Sequence, residues 1–221
     1  MADDQEYTAN ARHSITAGAK SKVKSSAQRA IRGKVVETYP KLEPYMEEIM
    51  PKKEQLDVMK LYVKYCLDSQ SVVANFLRPD RVQLYVLGST PLFWQHMDDP
   101  IIPHLSIVHK YPQCFEHIRI DRGAIRFVLS GATLMTPGLT SPGGRLPDPS
   151  VKEGDTTSND GYGGREYEAG EVVVVDAEGK ETACMIGVLK MGTKEMKEKK
   201  KGPGIENGHY LGDGLWEMSF N

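Results

Sequence analysis

Six histidines, an aspartate ahead of a glycine and two serines near glycines are the residues of this 221-residue chain whose types invite a catalytic or metal reading. The histidines are His13, His96, His104, His109, His117 and His209. His104 and His109 are five apart and His109 and His117 eight apart. Two imidazoles share a helix face at three or four, so this spacing builds no metal site, and surface or satisfied core positions are the expectation. Ser130 and Ser141 lack the G-x-S-x-G elbow that exposes a nucleophile. Asp121 precedes Arg122-Gly123 at a strand-to-helix junction, where an acid serves as an N-cap more readily than as a general base. The glycine-bearing stretch from Gly131 to Gly144 contains neither G-x-x-x-x-G-K-[ST] nor G-x-G-x-x-G, so it is no nucleotide loop. Two readings of it stand. It is a tight turn joining strands, or it is a platform for single-stranded RNA. In the second case Arg119, Arg122, Gly123 and Arg126 form the rim, and Thr136, Pro137, Gly138 and Leu139 offer a backbone that a ligand can approach.

A second chemistry is that of unbalanced positive charge. The formal net charge is −2, so the whole molecule has no basic excess. Yet no acid lies between Ser14 and Val36, while Lys20, Lys22, Lys24, Arg29, Arg32 and Lys34 all do. A charged helix face is usually just solvated. Here the repulsion at i,i+4 is unrelieved within the run, which favours an anionic partner such as ribosomal RNA, bound with salt-sensitive affinity. The alternating Lys194–Lys201 run reads as plain solvated surface. Three cysteines, Cys66, Cys114 and Cys184, stand far apart without a C-x-x-C, which fits reduced thiols in the cytoplasm rather than disulfides or zinc. No apolar run reaches 18 residues, and the polar N-terminal stretch has no signal-like apolar core, so neither a membrane partner nor secretion is expected.

The elements that position these residues follow from periodicity and punctuation. Residues 1–13 read as a disordered tail. Val23, Ala27, Ala30, Ile31 and Val35 recur at helical spacing up to Tyr39, and Pro40 stops that helix. A short helix is expected over Glu43–Ile49, with Pro44 near its start, and another over Pro103–Lys110. Strands are expected at Leu56–Tyr65, Val82–Leu87 and Leu92–Gln95, with a long loop over Asp68–Asp80. A second domain, 113–221, follows the first, 14–112. Ile118–Ile120 is its first strand, and Gly123–Ser130 its helix, with Ile125, Val128 and Leu129 inward. Leu146–Glu168 lacks periodicity and reads as a loop, with a disordered insert near 147–167. Val172–Val175 and Cys184–Lys190 are β-prone runs, and many short strands around one helix suggest a small barrel.

The longest motifs, GAIRFVLSGATLMTPGLTSPGG and GIENGHYLGDGLWEM, together with IMPKK and HKYP, resemble the malignant T-cell-amplified sequence family, the translation machinery-associated proteins of eukaryotes. The resemblance runs from about Val23 to Met218. Pro203 and Gly208 depart from it where branched aliphatic residues are expected, and Gly212 where asparagine is expected. The resemblance implies an α+β chain: an N-terminal α/β pre-PUA domain followed by a C-terminal PUA domain, a small mixed β-barrel with helices. It implies a non-enzymatic translation factor without cofactors. Such a factor binds the small ribosomal subunit, meets the tRNA acceptor end on its PUA groove, and pairs with a density-regulated-protein-like partner carrying a SUI-type domain. Its activities are tRNA release in ribosome recycling and support of reinitiation and initiation. Lys190 and Trp216 could border the groove, and Lys52 and Lys53 of IMPKK extend the basic surface. The competing classes are a general PUA adaptor without a ribosome role and an accessory subunit of an RNA-modifying enzyme.

Overall fold

The computed structural model describes residues 12–66, 77–96, 99–150 and 164–218. The N-terminal half contains β1 (Arg12–Ala17), β2 (Ser21–Lys22), α1 (Ser25–Thr38), α2 (Met46–Ile49), β3 (Leu56–Cys66), β4 (Leu77–Leu87), β5 (Thr90–His96), β6 (Ile102–Pro103) and α3 (Leu105–Lys110). Its six strands form one antiparallel sheet in the order β1-β3-β4-β5-β6, with β2 also on β3. Two boundaries move relative to the sequence reading. Arg12 and His13 belong to β1, opposite Cys66 and Tyr65, so the tail reading is corrected at its last two residues, and residues 1–11 lie outside the described chain. Residues 77–80 of the expected long loop are strand, because β4 continues antiparallel to β3 past a register shift; residues 67–76 lie outside the described chain.

α1 ends where Pro40 opens a 3-10 turn, Pro40–Tyr45, that leads directly into α2. Its apolar stripe is narrower than the spacing implied. Val35 is fully buried, and Ile31 and Val36 pack beside it, while Ala27 and Ala30 are exposed. The C-terminal part of the helix therefore rests on the core. Its N-terminal part is held by polar contacts to the 54–56 segment: Gln28 Nε2 donates to the Glu54 carbonyl at 2.8 Å, and Leu56 N donates to Gln28 Oε1 at 3.2 Å.

The C-terminal half contains β7 (His117–Ile120), α4 (Ile125–Val128), β8 (Leu134–Met135), α5 (Pro137–Thr140), β9 (Val172–Ala177), β10 (Met185–Val188), α6 (Thr193–Lys199), β11 (Pro203–Ile205) and β12 (His209–Tyr210). A four-stranded sheet, β12-β10-β9-β7, has β7 parallel to β9. A two-stranded sheet, β11-β8, joins it through the Leu189–Ile205 bridge. The three departures from the family motif, all in this region, are accommodated locally, Gly208 by close packing on Met185 and the Ile186 carbonyl that leaves no room for a Cβ. Pro203 opens the short strand β11, a position that needs no full ladder, and Gly212 has φ 82°, a conformation open to glycine and asparagine alike.

β9 and β10 explain why the second half reads as unbroken valine runs. Val173 and Val175 enter one core with Ile118, Ile120, Leu139 and Met196. Val174, between them, enters the other core, with Val35, Leu42, Phe93 and Leu105 of the first half. Met185 and Ile186 divide in the same way. A strand's successive side chains point to opposite faces, and here both faces are covered, so no polar alternation is left. The two halves thus share a hydrophobic core.

The expected 147–167 insert is corrected at both ends. Tyr167 is 2% exposed, and its hydroxyl donates to Glu116 Oε2 at 3.0 Å. The Pro147 carbonyl and Glu166 Oε1 both accept from Lys197 Nζ, the latter at 2.6 Å. Of the insert, residues 151–163 lie outside the described chain. The Lys194–Lys201 run is corrected with it: α6 buries Thr193 and Met196 completely, so one face of that charged segment is core. Among the described residues no helix is long and apolar enough to cross a membrane. Cys114 and Cys184 are free and buried, and burial pushes the Cys184 thiol up to about 12.

Candidate nucleic-acid interface

Asp121 organises the surface around α4. Its Oδ1 accepts from the backbone N–H of Gly123 at 2.7 Å and of Ala124 at 3.0 Å, so it caps the turn that leads into α4, whose own N-cap is Ala124. Its own N–H donates to the Gly138 carbonyl at 2.8 Å, which ties the α4 turn to α5. The Thr136–Leu139 segment is a helical turn with most of its chemistry turned inward. Thr136 is fully buried, with its N–H and hydroxyl both donating to the Gly202 carbonyl at 2.9 Å. Leu139 is in the core. A Cβ on Gly138 would sit 2.9 Å from the Ala124 Cβ, so this glycine serves close packing between α4 and α5. Of the segment, Pro137 is exposed and Gly138 half-buried.

The arginines divide. Arg119 is drawn into the 143–145 loop: it bridges Arg145 through both backbone groups, and its Nε donates to the Gly143 carbonyl at 3.0 Å. Arg122 and Arg126 are exposed and form no ion pair among the described residues. The Arg126 guanidinium lies 4.6 Å from the centroid of the Phe127 ring. Lys190 is exposed and faces Glu206 at 3.7 Å. Trp216 lies away from α4. It stacks on His104 with ring centroids 5.9 Å apart and planes 3° from parallel, at the junction of the two halves.

Sequence reasoning missed the apolar part of this surface. Phe127 is 52% exposed, and Leu129 and Met135 are exposed with it. Leu129, expected inward, is exposed because α4 is a single turn, and of IRFVL only Val128 is fully enclosed, with Ile125 half-buried. The consecutive apolar residues Phe127, Val128 and Leu129 were the available signal, since one helix face cannot bury three positions in a row. An exposed aromatic with a guanidinium group over its ring, that of Arg126, is the combination that stacks a base and holds a phosphate.

On the N-terminal half, α1 and the segment after α2 bring four cations to one cleft, and the others stand outside it. Arg29, Arg32, Lys52 and Lys53 line a cleft of about 370 Å³. Arg32 points inward, its Nη1 donating to the carbonyls of Met46 and Met50 and its Nη2 pairing with Glu47 at 3.1 Å. Lys24, just before α1, and Lys34 on it are exposed and do not line the cleft.

Comparison with known proteins agrees with this architecture. Residues 12–112 match the Pre-PUA-like domain and residues 116–211 the PUA domain. The chain is 45% identical over 195 residues to translation machinery-associated protein 20 of Schizosaccharomyces pombe, covering 88% of this chain and 89% of that protein. It is 36% identical over 196 residues to human malignant T-cell-amplified sequence 2, covering 89% of each. A hypothetical protein of Pyrococcus horikoshii has the same fold at 19% identity, with a TM-score of 0.58 over 90% of this chain and 98% of that one. Two consecutive domain matches and identity of this extent across both halves place the chain in the translation machinery-associated protein 20 and malignant T-cell-amplified sequence family.

Proposed function

We propose that this chain is a non-catalytic RNA-binding factor of the cytoplasmic translation machinery. It works on the small ribosomal subunit, with the PUA surface receiving the tRNA acceptor end. The observation that carries the reading is the α4 surface: Phe127 half in solvent beneath the Arg126 guanidinium, with Arg122 exposed on the turn that leads into α4 and neither arginine in an ion pair among the described residues. Single-stranded nucleic acid takes a cation for its phosphates and an aromatic face for its bases, and this surface offers both. The family names supply the setting, since the relatives from yeast are named for association with translation machinery. The shared core of the two halves supports their action as one rigid unit, so that anchoring the N-terminal half on ribosomal RNA orients the PUA surface. A SUI-domain partner of the density-regulated type adds a second attachment, which raises affinity through effective concentration. Release of deacylated tRNA during recycling and support of reinitiation are the activities this arrangement serves.

The test is co-sedimentation of the purified chain and its partner with small subunits, together with binding of a single-stranded CCA-ended RNA. Changing Arg122, Arg126 and Phe127 to alanine together should weaken that RNA by at least tenfold. The aromatic alone contributes about 1–3 kcal/mol, and loss of two cations lowers the slope of log affinity against log salt by about 1.4. Unchanged affinity and slope would put the acceptor-end surface elsewhere. Failure of the wild-type pair to sediment with small subunits, even at low salt, would leave a general RNA adaptor in place of a ribosomal factor.

A further inference from the structure

The cleft between α1 and the Pro51–Gln55 segment has a constrained shape and unspent charge. Met50 is buried at its lining. Its walls are locked by side-chain amides: Gln28 grips Glu54 and Leu56, and Gln55 Nε2 donates to the Val23 and Leu56 carbonyls at 2.8 Å each. Arg32 braces the same segment from beneath through the Met46 and Met50 carbonyls, and its charge is met by Glu47. Three lining cations have no such employment. Lys52 and Lys53 are exposed and adjacent in sequence, and among the described residues neither ammonium group forms an ion pair or hydrogen bond, although the Lys52 backbone N–H donates to Glu47 Oε1 at 3.3 Å. Arg29 spends only its Nε, on the Ser25 carbonyl at 3.4 Å, and leaves the rest of its guanidinium fork open. Glu54 is the single acid of the lining.

Three cations converging on one preorganised concavity repel each other until an anion joins them. We infer that this cleft is a phosphate-binding site, with Arg29 as the bidentate donor and Lys52 and Lys53 as flanking point charges. Its occupant is the phosphodiester backbone of an RNA. The phosphate chemistry stands on the cleft alone, while the choice of RNA over a free phosphate ester rests on the proposed translation role. The inference narrows the ribosome-facing cations to Arg29, Lys52 and Lys53. Arg32 serves the scaffold, and Lys24 and Lys34 stand outside the cleft.

The experiment uses the full chain and two probes, inorganic phosphate followed by backbone amide shifts and a labelled 12-nucleotide single-stranded RNA followed by anisotropy. The test variant carries Arg29→Ala, Lys52→Ala and Lys53→Ala, and the control carries Lys34→Ala. Phosphate should shift the amides around Arg29 and Lys52–Gln55 in the wild type and not in the triple variant. RNA affinity should fall at least tenfold in the triple variant, with the salt slope reduced by about 2, and stay within twofold in the control. The melting temperature serves as the fold check, and it should hold because all three side chains are exposed. Equal RNA affinity and slope in the triple variant and the wild type overturn the inference. Amide shifts with phosphate or a nucleoside monophosphate, but no change in RNA binding, overturn the RNA assignment and give the cleft to a small phosphate ester. Small-subunit sedimentation separates the two readings. A chain that binds RNA through the cleft but never sediments keeps the site and loses the translation role. A triple variant that sediments like wild type keeps the role and loses the site's assignment to it.

Discussion

Arg32 and Lys34 sit two residues apart on the same helix and have opposite employment. Arg32 is held by two backbone carbonyls and a carboxylate, while Lys34 projects into solvent. Removing Arg32 leaves the Met50 carbonyl without its donor and the Glu47 carboxylate without its partner, while the Met46 carbonyl keeps the Met50 N–H. Arg32→Ala should therefore destabilise the chain by about 1–3 kcal/mol, the cost of abandoning such groups. Lys34→Ala should stay within about 0.5 kcal/mol, as exposed substitutions do. Urea midpoints at constant m-value read the difference, and equal midpoints would show that the Arg32 contacts are incidental.

At the scale of elements, α6 is the clasp on the 147–167 segment. Thr193 Oγ1 accepts from the Tyr167 N–H at 2.9 Å, and Lys197 holds both the Pro147 carbonyl and Glu166. The segment is thus an anchored excursion with its ends in the core. Joining 150 to 164 through a short Gly-Ser link should change stability by less than about 1 kcal/mol, because closure cost depends only logarithmically on length. Extending the deletion through Tyr167 should cost about 3 kcal/mol, the scale of emptying an aromatic site. Comparing the two melting temperatures decides it; a similar fall in both would mean that residues 151–163 are packed.

The whole molecule is joined by a cluster of rings. His104, 4% exposed at the start of α3, lies 4.7 Å from His209 between centroids and stacks on Trp216. His209 Nδ1 contacts Asp213 Oδ2 at 2.7 Å, and His109 contacts the Ala183 carbonyl at 2.9 Å on the same side. Burial, reinforced by the His209 charge, lowers the His104 pKa to about 4 from 6.5. Between those values the unfolded chain binds the proton that folded His104 refuses, so acid favours unfolding. The His104 contribution is complete above pH 6.5 and is lost as pH falls to 4, a change of about 3 kcal/mol. His117 acts in the opposite sense. Burial works against its charged form, but Asp176 outweighs that and raises its pKa, so its contribution fades as pH rises. His104→Asn keeps an acceptor for the Ser106 N–H and removes the titrating ring. It should flatten the stability profile between pH 6.5 and 4; an unchanged slope would assign the acid sensitivity to other groups.

Much of this was written in the chain. The helix ahead of Pro40, strands within Leu56–Tyr65, Val82–Leu87, Leu92–Gln95, Ile118–Ile120, Val172–Val175 and Cys184–Lys190, and the turn at Asp121 follow from local spacing and turn chemistry, which act over a few residues. The motifs at Gly123–Gly144 and Gly204–Met218 carried the family, and the domain match and the relatives agree. Other features depended on partners distant in sequence. Phe127 is exposed because α4 is a single turn, and Tyr167 is buried because α6, 26 residues on, offers Thr193. Arg29 and Lys53 become neighbours only when Gln28 fastens α1 to the segment after α2. Composition counts charges, but whether a charge is spent on the scaffold or left for a ligand is decided by which carbonyls and carboxylates the tertiary structure brings within hydrogen-bonding distance.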